Sequence, residues 1–178
     1  MIVLALDPGA TVGWVVYDTA TRAVLAHGSS AWHAVTGDVV LATPVRPEAL
    51  ALEWPDAYGS LPQADLYAAL LDAGRLVQCI GLEPVKVSRR AVKKHLLGRV
   101  SGTDANLRAA LVAEFGPGSD KKATRCKACG GKGSKRKIVC TACVAGLVGT
   151  DGPLSMLSGS HEWAAMAVAF TFAAQVKS

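Results

Sequence analysis

The chain has 178 residues, 51% of them hydrophobic and 19% charged, which is enough apolar material for one full core plus a small inserted module and makes a globular chain the expectation. Its longest nearly unbroken apolar stretch, Trp163 to Ala174, is twelve residues, short of the roughly 20 that a bilayer span needs. Met1 leads straight into a strand-like run, so neither an export signal nor a membrane span is expected, and a cytoplasmic protein is the expectation. The net charge of +5 is concentrated: eight basic residues lie between Lys121 and Lys137 with no Asp or Glu from 121 to 150, which leaves the remainder at −3. Such a segment is the footprint of a polyanion-binding patch, against the blander reading of a solvated charge run.

In chain order, Ile2-Val-Leu-Ala-Leu-Asp7 is an apolar run ending in an acid, followed by Pro8-Gly9 and then Gly13-Trp-Val-Val-Tyr-Asp18. This predicts a buried strand with a carboxylate at its tip, a turn and a second strand. Arg22 to His27 predicts a third strand, so that the three form an antiparallel meander. A short helix is expected across Ala31 to Leu41, ended by Pro44 and Pro47. Ala49 to Glu53 repeats the opening pattern, a buried strand with an acid at its end. Apolar positions at 66, 70, 73, 76, 77 and 80 predict an amphipathic helix broken by Gly81. Val85 to Val87 is a short strand; Ser88 should cap a basic helix to Leu97, closed by Gly98, and Asp104 another to Phe115. Ser158-Gly-Ser160 should cap a last helix from His161 to Val176. The alternation of strands and helices implies an α/β fold with a mixed sheet flanked by helices.

Gly/Pro punctuation at 116–119 and 149–153 marks an insertion. The expected division is therefore a core over 1–116, a basic insert over 117–153 and a core helix over 154–178. Within the insert, Cys126-Lys-Ala-Cys129 and Cys140-Thr-Ala-Cys143 are separated by ten residues. Two such pairs complete a tetrahedral thiolate site for structural zinc, with no open catalytic position. The first pair, with the glycines that follow it, resembles the zinc knuckle of DnaJ-type modules; Ala145 and Leu147 depart from that pattern in the second. Lys132, Lys135, Arg136 and Lys137 are the insert's candidate DNA contacts. The fifth cysteine, Cys79, reads as a buried structural thiol.

Asp7, Glu53 and His161 stand at the ends of predicted elements far apart in sequence. Two carboxylates and an imidazole suit Mg²⁺ or Mn²⁺ and phosphoryl-transfer chemistry.

The ordered set of Asp7-Pro-Gly with a glycine-led second strand, Glu53 ending a strand, Val92-Lys93-Lys94-His95-Leu-Leu-Gly98, and a C-terminal helix beginning at His161 resembles RuvC, the Holliday-junction resolvases of the ribonuclease H-like superfamily. The resemblance covers about residues 1–28, 48–115 and 158–175. It implies a five-stranded mixed sheet, a homodimer acting on branched DNA and four-way junctions above all, and catalysis by Asp7, Glu53 and His161 through Mg²⁺ or Mn²⁺. It also implies Lys93 near the scissile phosphate, with Arg89, Arg90 and Lys94 extending a basic stripe. The family's last helix carries a second acid three residues beyond the first ligand, and this chain has Ala164 there. A replaced native acid, a site working with three ligands and water, and recruitment of Glu162 all fit the sequence, although Glu162 lies about 100° around the helix from His161. A zinc module on so small a nuclease suggests a phage origin, which would put the protein in a bacterial host's cytosol.

Two rival readings stand beside this one. The chain is a decayed resolvase that binds DNA without cutting it, or Asp7-x-Gly9-x-x-x-Gly13 is the phosphate loop of a sugar kinase or actin-like ATPase. The second requires a further domain and phosphate motif that 178 residues do not hold, so no nucleotide cofactor is expected.

Overall fold

The computed structural model describes residues 1–9, 11–42, 45–54, 63–115, 124–125, 134–135, 138–139, 147–148, 154, 157 and 159–177. Five strands, β1 (Ile2–Asp7), β2 (Val12–Asp18), β3 (Ala23–Ser30), β4 (Ala49–Trp54) and β5 (Pro84–Ser88), form one mixed sheet in the order β3-β2-β1-β4-β5. β1, β2 and β3 are the antiparallel meander, while β4 and β5 run parallel to β1. Asp18 closes the β2–β3 hairpin as an Asx-type turn, accepting from Ala20 N at 2.9 Å and Thr21 Oγ1 at 2.6 Å.

Alternation along the strands divides the core into two layers. Leu4, Leu6, Val12, Trp14, Val16, Leu50 and Leu52 pack with Val35 and Val39 of α1 (Val35–Ala42) and with Ala73 and Leu76 of α2 (Gln63–Ile80). The opposite face, with Val3, Ala5, Val15 and Ala51, lies under α5 (Ser160–Lys177), which packs most extensively on β2 and β1. α5 is apolar almost all round, as a helix enclosed on the sheet should be: Trp163, Ala165, Met166, Ala167, Val168 and Ala169 are all buried. Trp163 is therefore a packing residue.

α3 (Arg89–Leu97) follows β5 directly. Ser88 Oγ accepts from Ala91 N at 3.1 Å at its start, and Gly98, at φ 66°, ends it in the left-handed region that favours glycine. Two expectations need correction. The cap of α4 (Asp104–Phe115) is Thr103 and not Asp104: Thr103 and Asn106 exchange hydrogen bonds of the capping-box kind, Asn106 Oδ1 accepting from Thr103 N at 2.9 Å and Thr103 Oγ1 from Asn106 N at 3.4 Å. Cys79 is exposed, because the buried side of α2 runs through Ala73 and Leu76 and position 79 falls outside it.

The chain divides into two compact units, Met1–Leu107 with Gly159–Ser178, and Arg108–Ser158. In the second unit β6 (Thr124–Arg125) pairs with β9 (Leu147–Val148), and β7 (Ser134–Lys135) with β8 (Ile138–Val139), both antiparallel. Cys126, Cys129, Cys140, Cys143, Lys132, Arg136 and Lys137 lie outside the described residues, as does the side chain of Lys135. No helix among the described residues is long and apolar enough to cross a membrane.

Candidate active site at the carboxyl ends of β1 and β4

The parallel pairing of β1 and β4 ends at Leu6 opposite Leu52, and the next residue on each strand is an acid, Asp7 and Glu53. Opposed positions on parallel neighbours point to the same face, so alternation sends both carboxylates to the side covered by α5. They stand at the carboxyl edge of the sheet where the connection from β1 goes one way and β4 lies on the other, the position at which α/β sheets bind ligands.

His161, one residue into α5, brings Nδ1 to 3.0 Å from Asp7 Oδ2. Gly13 of β2, directly opposite Asp7 in the ladder, makes this approach possible. A Cβ at position 13 would lie 2.2 Å from the carbonyl carbon and oxygen of His161, so the start of α5 rests on bare backbone.

Arg89, the first residue of α3, reaches back across the edge. One guanidinium nitrogen lies 3.1 Å from Glu53 Oε2 and the other is bonded to Asp104 Oδ1. Burial pushes the Glu53 carboxyl up to about 7, opposed by the Arg89 charge and reinforced by Asp7. Asp7 is raised for the same reason, burial, with His161 pulling the other way. Two carboxylates on adjacent strands, with an imidazole against one of them, are the donor types that hard divalent cations take. Among the described residues no three His, Cys, Asp or Glu side chains stand together at metal-ligating separation: Asp7 is turned to His161 and Glu53 to Arg89.

The remaining expected residues divide. Lys93 is one turn beyond Arg89 on α3, on the same flank and half-buried. Arg90 and Lys94 are exposed, and Lys94 lines an open cleft of about 430 Å³ with His95, Thr171 and Gln175, between α3 and the second half of α5. Ala164, one turn after His161, contributes no donor. Glu162 does not join the Asp7 group. Its side chain is buried and faces β3, the carboxylate lying 3.0 Å from His27 Nδ1 and 3.4 Å from Ser29 Oγ. Ser29 is opposite Gly13, itself opposite Asp7, so two strand spacings, about 10 Å, separate Glu162's partners from Asp7. The sequence marks Gly13 only as the glycine of a glycine-led strand and Asp104 only as a helix cap, and it carries no signal for His27 or for the pairing of Asp104 with Arg89.

No family model matches the sequence, and no curated protein matches it. Solved structures do share its fold. The chain is similar to RuvC of T. thermophilus in complex with Holliday junction substrate, with a TM-score of 0.61 at 16% identity over 99% of this chain and 95% of that one. It is similar also to a Thermus thermophilus RuvC structure, with a TM-score of 0.58 at 17% identity over 99% and 96%. The mixed five-stranded sheet with its helices is thus the ribonuclease H-like fold of RuvC.

Proposed function

We propose that this chain is a divalent-metal-dependent endonuclease for branched DNA, four-way junctions in particular, acting as a homodimer. The observation that carries the reading is the convergence of Asp7 and Glu53 at register-adjacent strand ends with His161 3.0 Å from Asp7. The RuvC whose fold the chain shares is bound to a Holliday junction in one of those structures.

Asp7, Glu53 and His161 would hold Mg²⁺ or Mn²⁺, which when bound supplies an activated water and neutralises charge developing at phosphorus. The chain's own contribution is positional. β1 and β4 fix the two carboxylates on rigid backbone, Gly13 seats His161 against Asp7, and α3 presents Lys93, with Arg90 and Lys94, to the phosphate backbone. The four cysteines would hold a structural zinc that orders the basic insert, whose Lys132, Lys135, Arg136 and Lys137 add phosphate contacts.

A second reading, a DNA-binding protein with an impaired nuclease site, is favoured by one observation, Ala164 in the place where a further carboxylate would complete the ligand set. Cleavage of a synthetic four-way junction with Mg²⁺ or Mn²⁺ separates the two. Cutting by the unaltered chain, lost in Asp7→Asn, supports the nuclease; tight junction binding without cutting, with cutting gained in Ala164→Asp, supports the impaired site.

A further inference from the structure

We infer that Arg89 is the resident cation of the Glu53 pocket and that a divalent ion takes Glu53 Oε2, the oxygen Arg89 holds, as a ligand by displacing Arg89 onto Asp104. The inference rests on the metal-nuclease reading and adds to it a competitor built into the chain.

Arg89 bridges two carboxylates of very different character. Glu53 has 12% of its side-chain surface exposed and Asp104 75%. Water solvates Asp104 with or without a partner, whereas Glu53 depends on whatever cation stands beside it, so the stabilisation from the guanidinium is concentrated at Glu53. A metal ion binding Glu53 Oε2 therefore replaces a charge-assisted hydrogen bond, not bulk water.

The backbone gives Arg89 no way to retreat. It begins α3, whose N-terminus is capped by Ser88, and β5 is locked to β4 through Glu53 opposite Val87 and Trp54 opposite Ser88. Only the side chain can swing. Asp104, already bonded to its other nitrogen, is where it goes. The exchange makes the site respond to metal concentration: closed by a guanidinium when divalent ions are scarce, opened when they are not.

The test is Mn²⁺ binding to the full chain at pH 8 by titration calorimetry, without DNA, using Asp7→Asn to define the site. Arg89→Gln is expected to tighten Mn²⁺ binding about tenfold, and in a Glu53→Gln background the same change should gain less than about threefold, because Arg89 acts through Glu53. Asp104→Asn is expected to weaken binding, and to weaken it less once Arg89 is Gln, when only the direct charge of Asp104 on the site is lost. Unchanged or weaker binding in Arg89→Gln overturns the inference, as does an equal gain with and without Glu53, which would be charge acting through space. If the Asp7-dependent site is present but indifferent to Arg89, the inference falls and the metal reading stands; if no variant shows Asp7-dependent binding, both fall. In the unaltered protein, the Arg89 Nε–H NMR signal should shift as Mg²⁺ saturates the site, and a signal that does not move overturns the inference independently of any variant.

Discussion

Gly13→Ala tests how the site is assembled. The added methyl would lie 2.2 Å from the carbonyl carbon and oxygen of His161 and 2.6 Å from its Cβ, against an ordinary carbon contact of about 3.5 Å. Two of these three atoms are backbone, so no rotamer relieves the clash and the start of α5 must lift by roughly 1.3 Å. Overpacking of this kind costs about 1–3 kcal/mol, or a fall in Tm of roughly 3–10 °C for a chain of this size. The same displacement carries His161 away from Asp7, now 3.0 Å distant, to beyond about 4 Å, where no hydrogen bond survives. Misplacement by an ångström costs on the order of 100-fold in rate. Thermal melting and Mn²⁺ titration read both effects. The control is Gly74→Ala, a site within α2 where an added Cβ meets nothing within 4 Å; it should stabilise the chain by about 0.5–1 kcal/mol. A Gly13→Ala protein that melts and binds Mn²⁺ like the unaltered chain refutes the seating of α5 on β2.

Other consequences follow from the same geometry. Glu162→Gln should lower stability by about 1–3 kcal/mol, since it weakens a buried charge-assisted bond to His27, while Mn²⁺ stoichiometry stays as it was; a lost equivalent would make Glu162 a ligand. Folded Glu53 keeps its proton up to about pH 7 and the unfolded chain loses it near 4.5, so between those values the folded state binds more protons and stability falls as pH rises. The Glu53 contribution is at most roughly 3 kcal/mol. Urea denaturation without divalent ions should show this decline in the unaltered chain and a smaller one in Glu53→Gln; equal slopes would contradict it. Metal analysis should find one zinc per chain, lost in Cys126→Ser, and protein purified without zinc would remove the four-cysteine site.

Much of the sheet was readable because the signals are local. The apolar runs ending at Asp7 and Glu53 specify both the strands and the tips at which the acids stand, and Ser88 and Gly98 bound α3 by capping chemistry alone. What was not readable depends on partners distant in sequence. Helical geometry turns Glu162 away from His161, but nothing in the sequence tells that its partner is His27 on the edge strand, 135 residues earlier. Arg89 reads as one more member of a basic stripe until β4 and β5 pair and bring Glu53 beside it. Thr103 and Asp104 are both good caps, and the choice between them turns on Asn106 and on Arg89, which draws Asp104 into its own ion pair. Cys79 needed the exact phase of α2, which a one-residue error in the apolar stripe reverses.

The most direct test of the central claim is the mapping of cleavage products on a synthetic four-way junction with labelled strands, in Mg²⁺ and in Mn²⁺. The account predicts divalent-dependent nicks at symmetric positions on opposite strands, absent with Asp7→Asn and with chelator. Cleavage that persists in Asp7→Asn would contradict it.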